Sequence, residues 1–189
     1  MKDTIKNRNR NWTLLLYPQE DETHSEVIEY IKKNYEYAMI NHNKDVTEDG
    51  ELKKEHIHLV FRTGQNARWR SAVAEELGLN LAYIEGCNLN KQLLYLIHKE
   101  NPDKYQYNID EVQGNLKNKL VELLEKDKTD SENATKLLSY ILETQNINII
   151  SLTAFALENG IYGTLKKSSY LFTKLIEEKN RRRKWQTKI

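Results

Sequence analysis

The sequence of 189 residues predicts an α+β fold, in which an antiparallel sheet with helices on one face is followed by an all-α C-terminal domain. Up to about residue 110, short apolar runs alternate with helical patterns in the order β-α-β-β-α-β-α. This order is typical of a ferredoxin-like or RNA-recognition-motif plan. Beyond about residue 115, apolar residues recur only at helical spacing. We therefore expect one domain over residues 1–112 and a second over residues 116–189.

Each element of the first domain has its own local signal. Pro18 ends the first strand, because proline cannot donate to a strand ladder. The pattern Thr23-x-x-Glu26 fits a capping box that opens the first helix, and Asp49-Gly50 marks a turn before the third strand. We predict strands over residues 11–17, 35–41, 55–61 and 81–86. We predict helices over residues 23–34, 67–77 and 88–100, and a polar linker over residues 105–115.

The second domain is predicted to contain four helices. The first follows the linker and carries four leucines, and a capping-box pattern at residues 129–132 opens the second. The third and fourth are expected over residues 148–158 and 164–179, separated by Asn159-Gly160. This last pair could form a helix-turn-helix, but a bundle that serves packing or oligomerisation is favoured.

Two histidines flank one isoleucine in the third predicted strand. Because side chains alternate along a strand, His56 and His58 point to one face, whereas Ile57, Leu59 and Phe61 point into the core. Two neighbouring imidazoles on an exposed sheet face can hold a divalent metal. Helical cover on the other face would leave the histidine face free for a long polymer.

The predicted helix over residues 88–100 carries a tyrosine on its polar side. At about 100° per residue its leucines and isoleucine form one stripe, and Tyr95 falls on the opposite side. Its neighbours there are cationic or ionisable: Lys91, His98 and Lys99. A tyrosine that only packs would sit on the leucine stripe. Among cations, its phenolic oxygen could meet a phosphate.

These pieces resemble the HUH endonucleases, named for a histidine-hydrophobic-histidine motif, and in particular the replication initiators of small rolling-circle plasmids. The resemblance covers roughly residues 10–110. Four segments carry it, in the family's order: Trp12–Pro18, His42–Asp45, His56–His58 and Tyr95–His98. A lone His-x-His is weak evidence, but the four segments together are specific.

The resemblance implies a reaction and a set of residues. Tyr95 would attack a phosphodiester of single-stranded DNA and remain joined to the 5′ phosphate, and the reverse step would rejoin the ends. Mn²⁺ or Mg²⁺ would be held by His56, His58, Asp45 and His42, with Asp49, Glu51 or Glu55 as substitutes for Asp45. DNA contacts are expected from Lys91, His98, Lys99, Arg68 and Arg70. His98 stands roughly where many members carry a lysine, so the cation that supports the phosphate stays open, as does the base that activates Tyr95.

The same resemblance implies partners. An enzyme with one motif tyrosine must finish its cycle with water or with a tyrosine of another subunit, so a homo-oligomer is expected, assembled by the C-terminal helices. The sequence contains no Gly-x-x-x-x-Gly-Lys-Ser/Thr motif. We therefore expect a host helicase and a host polymerase as partners. The DNA partners that the resemblance implies are single-stranded and origin DNA.

Composition sets further bounds. The single cysteine, Cys87, excludes an internal disulfide. The polar, basic start of the chain does not fit a secretory signal, and no apolar run approaches the roughly 18 residues of a membrane helix. We therefore expect a cytoplasmic protein without a membrane partner.

The net charge of +1 conceals an asymmetry. Residues 115–189 carry 14 Lys and Arg against 9 Asp and Glu, whereas residues 1–114 carry 15 against 19. The first domain is thus acidic overall, and its basic residues are local clusters: Lys2, Lys6, Arg8 and Arg10, then Arg62, Arg68 and Arg70. The densest basic run, residues 181–184, fits a solvated helix end at least as well as a phosphate contact.

Three alternatives remain open. The first is a single-tyrosine transposase of the same superfamily, although such enzymes are usually shorter. The second is a non-catalytic nucleic-acid-binding module with an incidental histidine pair. The third is a metal-dependent phosphohydrolase, which would not need Tyr95 and would leave no covalent adduct.

Overall fold

The structure, a computed structural model, describes residues 8–186, with side chains up to Arg183. Lys2, Lys6 and the side chain of Lys184, which belong to the predicted basic clusters, lie outside the described residues. The chain divides into two compact units, residues 1–123 and residues 124–189. This division falls within one long helix, and the predicted domain boundary at residues 112–116 stays a prediction.

The strands of the first unit are β1 (Arg8–Asn9), β2 (Asn11–Leu16), β3 (Glu36–His42), β4 (His56–Arg62), β5 (Arg68–Trp69) and β6 (Ile84–Gly86). They form a four-stranded antiparallel sheet with the order β3-β4-β2-β6 and a separate two-stranded ribbon, β1-β5. The helices of this unit are α1 (Glu22–Asn34), α2 (Arg70–Glu76), α3 (Leu89–Leu96) and the start of α4 (Lys117–Glu143). Short 3₁₀ turns occupy Leu81–Tyr83 and Ile109–Glu111.

One face of the sheet carries the main core of this unit. Alternation along β2 and β4 directs every second side chain toward α1 and α2. The buried cluster joins strand and helix residues: Trp12, Leu14, Leu16, Met39, Leu59, Phe61 and Ile84 with Val27, Ile28, Ile31, Val73, Ala74 and Leu77. Burying these side chains contributes about 1.5–3 kcal/mol for each large aliphatic or aromatic residue. The predicted α+β class with a helical C-terminal region is confirmed.

The opposite face carries the histidines and is partly covered by α3. This helix contacts β2, β3 and β4, and Leu93 and Leu96 on its apolar side are fully buried. The strand pattern alone predicted this face to be open, but the leucine stripe of the tyrosine helix requires burial. Burial of the leucine stripe therefore places Tyr95 over the histidine face of the sheet.

Several element boundaries differ from the sequence-based expectation, among them the strand predicted over residues 81–86, which begins only at Ile84 after a 3₁₀ turn. Three further differences have clear local reasons. Helix α1 begins at Glu22, because the side chain of Asp21, not Thr23, accepts a hydrogen bond at its N-terminus. Helix α3 ends at Leu96 instead of residue 100, since His98 adopts a left-handed backbone with φ of 55°. The predicted helix over residues 67–77 starts three residues late because β5 pairs with β1.

The predicted linker over residues 105–115 is bound to the edge of the sheet. The amides and carbonyls of Met39 and Gln113 exchange two hydrogen bonds of 2.9 Å, and the Leu116 amide donates to the Tyr37 carbonyl. Gly114 lies between these contacts with φ of 105°, and a Cβ at this position would overlap the Tyr37 carbonyl. The segment therefore extends the hydrogen bonding of β3.

Replacing Gly114 by alanine is expected to lower the free energy of unfolding by about 3 kcal/mol or more, because the methyl group adds a backbone clash to the left-handed strain. Chemical denaturation of the full chain would measure it. Gly64→Ala is the matched control: Gly64 has φ of 94° but no neighbour within 4 Å, so only about 1 kcal/mol is expected. Equal costs for the two variants would contradict the close packing at Gly114.

The second unit is helical and contains the remainder of α4, α5 (Ile149–Glu158), α6 (Tyr162–Lys167) and α7 (Ser169–Gln186). The capping-box pattern at residues 129–132 does not start a helix. Thr129 donates to the Glu125 carbonyl one turn earlier, and α4 continues unbroken. The predicted fourth helix is divided at Ser168 into α6 and α7. A separate buried core includes Leu137, Ile141, Leu152, Ala156, Leu165, Phe172 and Ile176.

Within the described part of the chain, no helix combines the length and apolar character that a membrane crossing requires.

Candidate functional site

Four histidines converge on the α3 side of the sheet. His42 in β3 is directly opposite His56 in β4, and His58 follows on the same face of β4. His98 joins them from the segment after α3. The ring centroid of His42 lies 5.5 Å from that of His56, 4.6 Å from that of His58 and 4.5 Å from that of His98.

Backbone carbonyls hold three of these rings. His42 Nε2 lies 2.8 Å from the Leu96 carbonyl, His56 Nδ1 lies 2.7 Å from the Lys54 carbonyl and His98 Nδ1 lies 2.8 Å from the Tyr105 carbonyl. A carbonyl only accepts, so each of these nitrogens carries the proton in the neutral ring. The other nitrogen of each ring then presents a lone pair. This is the arrangement that orients histidine ligands of metals.

Asp45 lies against the same cluster and is 8% exposed. Its Oδ2 is 3.5 Å from His42 Nδ1, and its Oδ1 accepts a hydrogen bond of 3.2 Å from the Tyr107 hydroxyl. Because His42 Nδ1 carries a lone pair, two acceptors face each other across 3.5 Å. A cation held between them would remove this repulsion.

Burial keeps two of the imidazoles neutral. It lowers the pKa of His42 from 6.5 to about 4 and that of His58 to about 2, with a further contribution from the neighbouring histidines. Both rings therefore offer lone pairs at neutral pH. Burial also raises the pKa of Tyr107 to about 12, so its hydroxyl stays protonated and donates to Asp45.

The donor set fits a divalent metal ion. The ligand atoms of His42, His56 and His58 lie within 4.8 Å of one another, and so do those of His42, Asp45 and His98. Nδ1 of His42 and Nδ1 of His58 are buried without a hydrogen-bond partner. Nitrogen and carboxylate donors suit Mn²⁺ and related ions. The structure thus brings together all four sequence-predicted ligands, His42, Asp45, His56 and His58, and adds His98.

The acidic substitutes considered for Asp45 lie elsewhere. Glu55 accepts hydrogen bonds from Gln19 and Asn41, which lower its pKa. Asp49 and Glu51 are exposed in the turn between β3 and β4. Asp45 is therefore the carboxylate that reaches the histidines.

Tyr95 stands at the edge of the cluster. Its ring centroid is 5.4 Å from that of His58 and 5.3 Å from that of His98. Lys104 donates a hydrogen bond of 2.8 Å to the Tyr95 hydroxyl and lies 4.8 Å from the ring centroid. The Tyr95 phenolic oxygen, the Lys104 ammonium and a candidate metal site thus lie side by side, which is an arrangement suited to phosphoryl transfer.

Sequence reasoning missed Lys104 and the supporting role of Tyr107. Both lie beyond Pro102 in a polar segment without periodicity, outside the helix that the sequence predicts for Tyr95. The structure buries Tyr107, whose ring stacks on His42 at 4.4 Å. The cluster Lys104-Tyr105-Gln106-Tyr107 was the available signal, but nothing in its spacing relates it to Tyr95.

The residues predicted to contact DNA are found in different surroundings. Lys91 and Lys99 are exposed, whereas His98 is fully buried in the histidine cluster. Arg68 forms an ion pair with Glu76 and donates to the Tyr35 hydroxyl. Arg70 donates to the carbonyls of Leu81 and Ile84. Both arginines therefore already have intramolecular partners.

Comparison with known proteins adds independent findings. The family model described as "Plasmid replication protein, origin binding domain" matches residues 4–121, more than half of the chain. A "Replication protein" of Staphylococcus aureus is 28% identical over 158 residues, covering 80% of this chain and 77% of that protein. The "Replication protein RepB" of Lactiplantibacillus plantarum is 34% identical over 106 residues, covering 53% of this chain and 45% of that protein. The matched region contains every residue of the histidine cluster.

Proposed function

Because the chain belongs to the rolling-circle plasmid replication proteins, we propose that it nicks and rejoins single-stranded origin DNA by metal-dependent transesterification through Tyr95. One observation carries the proposal: the Tyr95 hydroxyl meets Lys104 at the edge of a buried histidine cluster. The printed description of the matching family supports origin DNA as the partner. It also favours an initiator over a transposase.

The proposed step exchanges one ester for another. The Tyr95 oxygen attacks the phosphorus and forms a new P–O bond, while the bond from phosphorus to the 3′ oxygen breaks. The phenolic proton is lost to solvent and the departing 3′ oxygen takes up a proton, so charge and atoms balance. The product is a 5′-phosphotyrosine, whose ester energy allows the 3′ hydroxyl to reverse the reaction and rejoin the ends.

Different side chains of the site would bind the metal ion, stabilise negative charge and position Asp45. His42, His56, His58 and Asp45 would hold Mn²⁺ or Mg²⁺, which, when bound, supplies positive charge at the nonbridging phosphate oxygens. The Leu96 and Lys54 carbonyls fix the orientation of His42 and His56. The Lys104 ammonium stabilises negative charge on the Tyr95 oxygen and on the phosphate that replaces its proton. Tyr107 holds Asp45 in place.

Lys104→Ala is expected to slow formation of the covalent adduct by about a hundredfold, because one preorganised donor to a developing charge is lost. Lys104→Arg should retain most of the rate, since it keeps the charge. Single-turnover kinetics with a labelled oligonucleotide would measure both. Lys33→Ala, an exposed lysine on α1, is the control, and a Lys104→Ala rate equal to that of this control would contradict the role.

DNA contacts around the site follow from its exposed cations. We propose that Lys91 and Lys99 contact the phosphate backbone near Tyr95, and that Arg68 and Arg70 lie along the path of the DNA while keeping their intramolecular partners. Such contacts supply sequence-independent affinity that falls with salt.

The wider setting is also proposed. The sequence holds no P-loop motif, so helicase and polymerase would come from the host, and the protein would act in the cytoplasm. A homo-oligomer assembled through the helical second unit would provide a second tyrosine to close the cycle.

Incubation with Mn²⁺ and a randomised single-stranded DNA pool tests the proposal. A protein–DNA band on a denaturing gel, absent with chelator, is the expected result, and sequencing of the joined 5′ ends would identify the nick site. Cleavage without an adduct would support a metal-dependent phosphohydrolase instead. Binding without cleavage, with the metal site shown to be loaded, would support a non-catalytic module.

A further inference from the structure

Three polar side chains surround a cleft beside Tyr95 and take no part in the proposed chemistry. The cleft has a volume of about 320 Å³. It lies between β2, β6, the 3₁₀ turn at Leu81–Tyr83 and α3, and its lining includes Thr13, Leu15, Glu85 and Gln92 together with His58 and Tyr95. A cleft of this size accommodates a single planar ring system.

The strand register places these groups in a row next to the histidines. Thr13 is directly opposite Val60 on one side and Glu85 on the other. The next row on the same face pairs Leu15 with His58, two residues along the strands and thus about 6.6 Å away. Gln92 lies one helical turn before Tyr95, on the same side of α3.

Within the part of the chain that the structure describes, none of the three polar side chains has an internal partner. Among the described residues, the Thr13 hydroxyl, the Glu85 carboxylate and the Gln92 amide make no hydrogen bond or ion pair with one another or with any other group. Polar groups that line a cleft and lack internal partners are free to bind a ligand. The Glu85 carboxylate favours a base over a phosphate in this cleft, because a carboxylate repels phosphate but accepts hydrogen bonds from the N–H donors of a base edge.

We propose that this cleft holds the base adjacent to the scissile phosphate and selects a base with an exocyclic amino group over thymine. The proposal rests on the proposed function in one respect, that single-stranded DNA crosses this face. Adenine, cytosine and guanine offer amino N–H donors to Glu85, whereas thymine presents carbonyl oxygens in their place. The N3–H of thymine lies between two carbonyl oxygens, which the carboxylate repels. Gln92 and Thr13 provide donors for the acceptor atoms of the same base.

The test measures binding and does not require cleavage. Full-length protein carrying Tyr95→Phe, loaded with Mn²⁺, would select from short randomised single-stranded DNA, and the bound strands would be sequenced. One position should disfavour thymine about tenfold or more. Glu85→Gln in the same background should abolish or invert this preference, because an amide also donates to thymine oxygens. Gln92→Leu should weaken it.

Glu26→Gln is the matched control, since Glu26 is exposed on α1, against the other face of the sheet. It should leave the preference unchanged. The same preference in Glu85→Gln and Glu26→Gln, or no base preference at any position with Glu85 present, would overturn the proposal. Failure of the unmodified protein to form a covalent adduct would instead overturn nicking through Tyr95, so the two failures are distinguishable.

Discussion

Replacing Tyr95 by phenylalanine is expected to abolish the covalent protein–DNA adduct while leaving the fold and metal binding intact. The substitution removes only the attacking oxygen and its hydrogen bond from Lys104. The ring and its contact with His58 remain. Loss of a nucleophile lowers the rate by at least about a thousandfold, so the adduct band should fall below detection. Denaturing gels after incubation with Mn²⁺ and DNA measure the loss of the adduct. Thermal melting measures whether the fold and metal binding are intact.

The neighbouring tyrosines provide the controls. Tyr105→Phe removes a hydroxyl from an exposed side chain near the site and should leave the adduct in place. Tyr107→Phe should form the adduct more slowly, because Asp45 loses a hydrogen bond. If the adduct persists in Tyr95→Phe and disappears in Tyr105→Phe, the nucleophile has been misassigned.

The histidine site shows what a local pattern can predict. Alternation in β4 requires His56 and His58 to share a face, because Leu59 and Phe61 are buried in the core and Ile57 packs against it. No other register satisfies that burial, so the pair could be placed from the sequence alone. His42 and Asp45 enter the prediction only through the resemblance of residues 42–45 to the plasmid initiators, and the structure places His42 at the end of β3, opposite His56.

The remaining parts of the site depend on contacts that no spacing reveals. The helical pattern of α3 continues past Leu96, but the left-handed backbone at His98 turns the chain and buries that ring against His42. Lys104 reaches Tyr95 only because of this turn. A helix drawn to residue 100 places His98 among surface cations, whereas the structure makes it a neighbour of Asp45, with 3.7 Å between His98 Nδ1 and Asp45 Oδ1.

The helical unit illustrates a different limit. Capping-box sequences are locally stabilising at a helix start, but residues 129–132 lie within α4, where Thr129 and Asp130 find other partners. Continuing the helix retains the backbone hydrogen bonds that a break would lose. Local helix-capping propensity alone therefore predicts two helices in this region, whereas the full set of contacts stabilises the single helix α4.

Removing single ligands is expected to weaken metal binding and to reveal which residues hold the ion. Saturating Mn²⁺ at a hundredfold excess over its dissociation constant should raise the free energy of unfolding by about 2.7 kcal/mol. His58→Ala and Asp45→Asn should each weaken this stabilisation. Calorimetric titration of Mn²⁺ and thermal melting measure the effect without any DNA, and adduct formation should decline in parallel.

His24 provides the matched control, since it is the one histidine of the five outside the cluster. His24→Gln removes an imidazole whose Nδ1 accepts from the Tyr17 amide and should leave Mn²⁺ affinity unchanged in the folded protein. The two candidate groupings share only His42, so the variants separate them. Loss confined to His58→Ala assigns the ion to His42, His56 and His58, and loss confined to Asp45→Asn assigns it to His42, Asp45 and His98. Loss in both means that a single ion draws on both groups, and unchanged affinity in both would refute a metal at this site.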